Sequence, residues 1–372
     1  MIGNQAYQKT MNLALVMRAI RDVPGISRTE IATATGLTKS TVGNLVRELT
    51  GRGLVGEHRT GNGGGAGRPR VGLTLASRTV RVLGAELRSD SVAVVTVRLD
   101  GSVESRFREV IPDGEHSLKR AWRAVRSVLG TIAPAGCIGL GLAVPATTDP
   151  IHGRVLDSED FDVRGFAAEP LVTPGGTCPV VLENDANAVA WGALGTEDRS
   201  TRPGGIDLLA VIGRRDAGAL RVGTAVVIGS RVYYGADFGG GEFRSSGWRS
   251  GMHVELASAT APDVRDALVE LLANLSVPIS MLRPRRVVLG GDLVTHRGTI
   301  DAILADELAG AYVDPRVSGV PFEAAPEGEY AAAAGGARMF LEHLFAVPAV
   351  DVARPDEIPS WQEIGNGGPE IA

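Results

Sequence analysis

The stretch from Ser27 to Leu49 constrains this chain more tightly than any other. Ser27 and Glu30 stand at the S-x-x-E spacing of a capping box, so a short helix starts at Ser27, and it ends near Gly36. A further helix starts at Thr38. Its apolar positions Val42, Leu45, Val46 and Leu49 fall at i, i+3, i+4 and i+7, one face of a helical period. The opposite face carries Ser40, Asn44 and Arg47, with Lys39 near the N-terminus. Upstream, Leu13, Val16, Met17 and Ile20 repeat the same spacing in a preceding helix, which Pro24 and Gly25 stop. Two helices joined by a tight glycine turn form a helix-turn-helix. In that arrangement the second helix enters the major groove and offers its N-terminal polar side chains to base edges, Asn to adenine and Arg to guanine. The residues placed for DNA contact are Arg28, Thr38, Lys39, Ser40, Thr41, Asn44 and Arg47. A basic three-helix bundle that binds protein is the alternative for the same pattern.

Two strand-like runs follow, Leu54–Arg59 and Arg70–Leu75, around the glycine-rich GNGGGAGRPR. This reads as a β-wing whose Arg68 and Arg70 reach phosphates or the minor groove; a flexible linker is the bland alternative. The charge supports the wing. The net −5 of the 372-residue chain argues mildly against nucleic acid, but residues 1–75 hold ten Lys/Arg against four Asp/Glu, while the rest holds 28 against 39. A basic head on an acidic body is the pattern of a binding module attached to a larger unit.

The body opens on period-two runs, Val80–Leu87 and Ser91–Leu99, before the turn Asp100-Gly101, with a third strand in Ser102–Ile111. Ser117–Ile132 reads as a helix, Cys137–Val144 as a buried strand, and Pro179–Leu182 as a strand leading through Glu183-Asn184-Asp185 into a helix over 186–194. Strands at 208–212, 222–228, 232–234 and 286–289 alternate with helices at 263–281, 300–309 and 330–345. Hairpins followed by alternating helices and strands, twice over, predict two α/β lobes around a cleft. No apolar run reaches the length of a membrane helix, no signal peptide is expected, and the two cysteines form no metal-ligand spacing. A cytoplasmic protein with no membrane partner is the expectation. From Asp351 the chain turns acidic and rich in Pro and Gly, which predicts disorder.

From about residue 10 to 345 the chain resembles the ROK family (repressors, open reading frames and sugar kinases), and within it the transcriptional regulators with an N-terminal winged helix-turn-helix. The segments that carry the resemblance are SRTEIATATGLTKSTVGNLVRELTGRGLV, GLGLAVPATTDPIHGRVL, PVVLENDANAVAWGAL, GSRVYYGADFGGGEF, VVLGG and AAAAGGARMF. The resemblance implies an α/β fold: a winged head (1–78), then an actin-like, ribonuclease-H-like body. Its first lobe is 79–186, completed by the helix 329–347, its second 187–328, and an acidic tail covers 348–372. It implies a double-stranded DNA operator, a sugar or sugar-derived effector, and a homodimer or homotetramer.

Residue by residue, the resemblance places Asp185 at the position of the general base of ROK kinases and Asn184 at a sugar-binding neighbour. Glu242 matches the glutamate of GEIGH, Glu255 a later sugar-contacting glutamate, and Asp160 a sugar-binding asparagine. The plain alternative for Asn184 and Asp185 is a helix N-cap; for Asp160, Glu242 and Glu255 it is a loop or surface carboxylate. The departures are as informative. GAELRSDS, with Glu86 and Asp90, replaces the first phosphate loop DxGGTK, and an acidic pair there repels phosphates. ALRVGTA, with Arg221, replaces the glycine-rich second loop, Ser245 replaces the GEIGH histidine, and the cysteine-rich zinc loop is missing, leaving His253 alone. No ATP, zinc or other cofactor is expected, and no catalysis. The reading is a regulator, in the first place a repressor; a constitutive DNA-binding protein with a vestigial cleft and a ROK sugar kinase are the alternatives.

Overall fold

The computed structural model describes residues 2–59, 71–76, 80–111, 117–158, 160–161, 163–197, 205–216, 219–242, 254–255, 261–306, 319–348, 355 and 358–364. The head begins with α1 (Ile2–Asp22), α2 (Arg28–Thr35) and α3 (Lys39–Gly51). All four predicted apolar residues of α1 are buried, as are Val42, Leu45, Val46 and Leu49 of α3. The capping box forms in both directions: Ser27 Oγ accepts from Glu30 N, and Glu30 Oε2 accepts from Ser27 N at 2.9 Å. Gly36 ends α2 at φ +72°, a left-handed conformation that costs a side chain about 1 kcal/mol or more.

Strands β1 (Val55–Arg59) and β2 (Val71–Leu75) pair antiparallel, Val55 opposite Leu75. Leu73 extends this hairpin by bridging to Ile26 just before α2. Gly72 must be glycine there, because a Cβ would stand 2.9 Å from the Gly25 carbonyl oxygen.

The body's first sheet contains β3 (Arg81–Leu87), β4 (Ser91–Arg98), β5 (Val103–Val110), β6 (Cys137–Val144) and β12 (Val180–Asn184), in the order β12-β6-β3-β4-β5. The β12-β6-β3 half is parallel and the β3-β4-β5 half antiparallel. Helix α4 (Leu118–Ile132) packs Trp122, Val125 and Leu129 on one face of this sheet. A small sheet that the sequence reading did not anticipate, β7 (Thr147–Asp149), β8 (Arg154–Ser158) and β9 (Val163–Ala167), follows β6, and the hairpin β10 (Leu171–Thr173) and β11 (Gly176–Cys178) follows it. Helix α5 (Asp185–Gly195) leaves the end of β12.

The second large sheet holds β13 (Leu208–Asp216), β14 (Ala219–Ile228), β15 (Arg231–Val232), β16 (Val254–Glu255), β17 (Arg286–Gly291) and β18 (Phe322–Ala324). Helices α6 (Ala261–Leu282) and α7 (Arg297–Ala305) supply its core with Leu268, Leu272, Leu275, Ile300 and Ile303. The last helix, α8 (Ala331–Phe345), packs on α5 and on β3 and β6. Its Gly335-Gly336 is the point of closest approach, for a Cβ on Gly335 would fall 1.7 Å from the Ala188 carbonyl oxygen. Among the described residues no helix is long and apolar enough to cross a membrane.

The expectation of disorder over the whole tail is corrected. Residues 358–364 are folded, with Ile358, Trp361 and Ile364 almost fully buried. Trp361 packs on Phe345 of α8 with ring centroids 4.9 Å apart, Arg52 at the end of α3 donates to its carbonyl oxygen, and Gln362 donates to the Ala6 carbonyl at 3.1 Å. A segment's average composition reads disorder, but three apolar side chains at i, i+3 and i+6 suffice to seat this one on the seam between head and body. The seam makes one hydrophobic core of both, joining Leu13, Ile20 and Leu49 to Phe340, Phe345 and Trp361.

Candidate functional site

Two surfaces carry the sequence-derived residues. On the head, Thr38 is the N-cap of α3, its Oγ1 accepting from Thr41 N at 3.1 Å and bonded to Thr41 Oγ1 at 2.9 Å. Thr38 and Thr41 thus spend their hydroxyls on starting the helix, a contribution of about 1 kcal/mol. Lys39, Ser40, Asn44 and Arg47 are exposed on one side of α3. Arg47 Nη1 donates to Asn44 Oδ1 at 3.0 Å, one turn away, so an amide NH2 and a guanidinium fork are presented together. Arg28 is tied down instead: it forms an ion pair with Glu57 on β1 and fastens α2 to the wing. Arg68 and Arg70 lie outside the described residues.

In the body, Asn184 is the N-cap of α5. Its Oδ1 accepts from Ala186 N and Asn187 N at 2.9 and 3.0 Å, and its Nδ2 donates to the Ala146 carbonyl at 2.9 Å. That is the plain alternative weighed above, realised. Asp185, the first residue of α5, is 1% exposed. Its Oδ1 accepts from Ala186 N at 2.8 Å and its Oδ2 lies 2.8 Å from Arg214 Nε. Arg214 Nη1 also reaches Asp160 Oδ2, and Arg221 Nη1 reaches Asp160 Oδ1, both at 2.9 Å. Arg214 and Arg221 sit directly opposite in the β13–β14 register. The hairpin therefore projects two guanidinium groups against two carboxylates, in the order Asp185, Arg214, Asp160, Arg221.

Sequence reading noticed Arg221 only as a lost glycine and missed Arg214. The signal available was an arginine on each arm of the hairpin in RRDAGALR. At the first loop the two acids differ: Glu86 is answered by an arginine, and Asp90 stays exposed. Glu86 is buried and paired with Arg88 at 2.8 Å, and Asp90 accepts a hydrogen bond from Ser91 Oγ at 2.9 Å.

Burial raises Asp185 to a pKa of about 6; Arg214 opposes the rise, and Glu86 and Asp160 add to it. A carboxyl with a folded pKa of about 6 and an unfolded one near 4 binds its proton more tightly when folded. It contributes stability at low pH that is lost as pH rises through about 6. The Asp185→Asn variant is therefore expected to gain on the wild type by about 2 kcal/mol between pH 4 and pH 7. Parallel urea titrations at the two pH values measure this, and a constant difference would show that Asp185 titrates normally.

Glu183 was placed between strand and helix by the sequence but given no role there. It is fully buried, with Oε1 accepting from Asn184 N, Asn187 Nδ2 and Thr148 Oγ1, and Oε2 from Tyr234 Oη at 2.6 Å and Trp191 Nε1 at 3.2 Å. Burial pushes its pKa up, and these donors hold it down. Glu242 is exposed beside this network and accepts from Thr147 Oγ1 at 3.1 Å, next to the Ala146 that anchors Asn184. Gly241 before it must be glycine, at φ +90° with a Cβ position 2.6 Å from the Thr224 carbonyl oxygen. The backbone of Glu255, on β16, pairs with Ala219 of β14. Ser245 and His253 lie outside the described residues, and among those described no cluster of His, Cys, Asp and Glu could hold a metal ion.

Residues 14–64 match the MarR family of helix-turn-helix proteins. The chain is 30% identical over 199 residues to the xylose repressor of Caldicellulosiruptor bescii, covering 52% of this chain and 49% of that one. It is 25% identical over 201 residues to the xylose repressor of Bacillus subtilis, covering 51% and 50%. The matched part thus spans about half the length of these relatives. In three dimensions it is similar to a ROK family transcriptional regulator described as a homologue of the Escherichia coli MLC protein, with TM-score 0.65 and 14% identity over 90% of this chain and 97% of that one. The body is also similar to the inorganic polyphosphate/ATP-glucomannokinase of Arthrobacter sp. strain KM, with TM-score 0.50 and 17% identity over 71% of this chain and 99% of that one. Over about half its length the chain is thus similar to xylose repressors, residues 14–64 match a MarR-type helix-turn-helix, and the fold is that of a ROK-family transcriptional regulator.

Proposed function

We propose that this protein is a DNA-binding transcriptional repressor of the cytoplasm whose two-lobed body senses a sugar or sugar-derived effector and carries out no phosphoryl transfer. The observation that carries the reading is the exposed Asn44–Arg47 pair on a helix capped at its start, on the basic part of the chain. Asn and Arg are the side chains that read adenine and guanine in the major groove. The protein acts as a homodimer or homotetramer, because two heads must meet half-sites at a fixed spacing on double-stranded DNA. Residues 1–78 form the head, and the lobes divide near 186.

The arginines favour sensing over catalysis. Asp185 faces Arg214, so a hydroxyl proton reaches its Oδ2 only when that guanidinium is displaced. In this reading a sugar brings hydroxyl donors to Asp160, Asp185 and Glu242, loosens the ion pairs across the cleft, and favours a different lobe arrangement. An effector switches DNA affinity only through such a difference between two states. The link to the head is physical, since Arg21 at the end of α1 pairs with Glu342 of α8 at 3.3 Å and stacks over Phe345 at 4.5 Å.

Arg47→Ala and Asn44→Ala are each expected to weaken specific operator binding by about 1–3 kcal/mol while leaving binding to bulk DNA nearly unchanged. Equal losses on both in a mobility-shift assay would mean these side chains do not read bases. A thermal-shift screen of sugars, sugar acids and sugar phosphates tests the sensing half: one class raises the Tm, and Glu242→Ala abolishes the rise. ATP-dependent turnover of any hexose that Asp185→Ala removes would overthrow the reading. A second reading, constitutive DNA binding with a vestigial cleft, has one observation in its favour: Asp160 and Asp185 are already answered within the protein. A screen without any shift decides for it.

A further inference from the structure

Part of the seam between head and body sets Arg21 and Asp22 of α1 against Glu342 and Phe345 of α8, and these residues line two cavities. The cavity on the tail side encloses about 500 Å³, within the range of small-molecule sites. Its lining differs in kind from the ionic cleft. Trp191 and Tyr234 give it aromatic walls and Ile151 and Val232 add aliphatic ones, whereas the Phe345 ring is covered by Trp361 and Arg21. Arg18 lines it from the DNA-binding head. Arg231 stands exposed at its edge and makes no ion pair with any described residue. Pro355 of the C-terminal segment closes one side.

We propose that this cavity is a second ligand site, for a small aromatic organic anion. The aromatic walls suit a flat apolar ring, and apolar walls with a few placed charged groups are what such sites consist of. Arg231 supplies a cation for a carboxylate or sulfonate, and the acids that also line the cavity, Asp22 and Glu342, are answered by Arg21.

The site is wired to both halves of the molecule. Trp191 Nε1 donates to Glu183 Oε2, and Tyr234 Oη donates to the same oxygen. The other oxygen of Glu183 holds Asn184 N and Asn187 Nδ2, at the start of the helix that carries Asp185. One carboxylate therefore joins the wall of the cavity to the floor of the cleft. On the opposite side the wall is α1 of the head. A ligand seated here touches this part of the seam, and it does so whether or not a sugar occupies the cleft.

The test is a fluorescence titration of the full chain with anilinonaphthalene sulfonate, an aromatic anion whose emission rises in apolar surroundings. Saturable binding of one molecule per chain is expected. Ile151→Trp, which fills the cavity from its rim, and Arg231→Glu, which reverses the charge at its edge, should each weaken it by about tenfold or more. Val110→Trp, an equal apolar addition at an exposed position of β5, should leave the Kd unchanged. Circular dichroism checks folding, and if Ile151→Trp is unfolded the Kd of Arg231→Glu decides. Unsaturable binding, a smaller loss in a folded variant, or an equal loss in Val110→Trp overturns the site. None of these outcomes bears on the sugar cleft, which the Glu242→Ala thermal shift tests separately.

Discussion

Arg214→Ala is expected to destabilise the folded protein by about 3–5 kcal/mol at neutral pH, the cost of breaking a buried ion pair from one side. Arg214 is the shared partner of Asp185 and Asp160. Asp185 is 1% exposed, and without the guanidinium its carboxylate keeps, among the described residues, the hydrogen bond from the Ala186 amide. The loss should shrink at pH 5, because a carboxyl already raised to about 6 with the arginine present takes up a proton still more readily without it. The double variant Arg214→Ala/Asp185→Asn should recover much of the stability, since removing both charges removes the unpaired one. Urea denaturation of wild type, both single variants and the double variant closes the cycle. A double variant no more stable than Arg214→Ala would show that Asp185 is not what Arg214 holds.

The second large effect belongs to Trp361→Ala, with an expected loss of about 3–5 kcal/mol, the usual cost of truncating a buried tryptophan. Trp361 is 1% exposed and packs on Phe345, whose other partner is the Arg21 guanidinium. The loss should come with a change in cooperativity. Trp361, the Arg52 bond to its carbonyl and the Gln362 bond to Ala6 all tie the head to the rest. Without them, thermal unfolding should separate into a head transition and a body transition, where the wild type shows a single one. Trp361→Phe should retain most of the stability and the single transition. A Trp361→Ala protein with an unchanged Tm would mean that the C-terminal segment is not seated as described.

These two positions mark where the sequence stopped being readable. The three helices of the head were legible from their caps and apolar faces, because those signals are local. A capping box spans three residues, and an amphipathic face repeats within two turns. The strands of the body were legible as period-two or continuous apolar runs, although β13 extends beyond its predicted end and the small sheet of β7, β8 and β9 was missed. Its strands are short, and Arg154, Asp157 and Arg164 interrupt their apolar residues. In the cleft, the resemblance marked Asp160, Asn184, Asp185 and Glu242, but not which of them already had partners.

By itself, then, the sequence determined the three helices of the head and the alternation of helix and strand in the body. Each follows from patterns within a few residues, where backbone geometry fixes which side chains share a face. The tertiary structure alone decided the charges and the tail. Arg214 answers Asp160 across 54 residues, and Arg52 meets Trp361 across 309. Partners that far apart leave no local period. A lone aspartate reads the same whether water or an arginine faces it, and a tryptophan in an acidic run reads as exposed until a seam between two domains offers it a place to be buried.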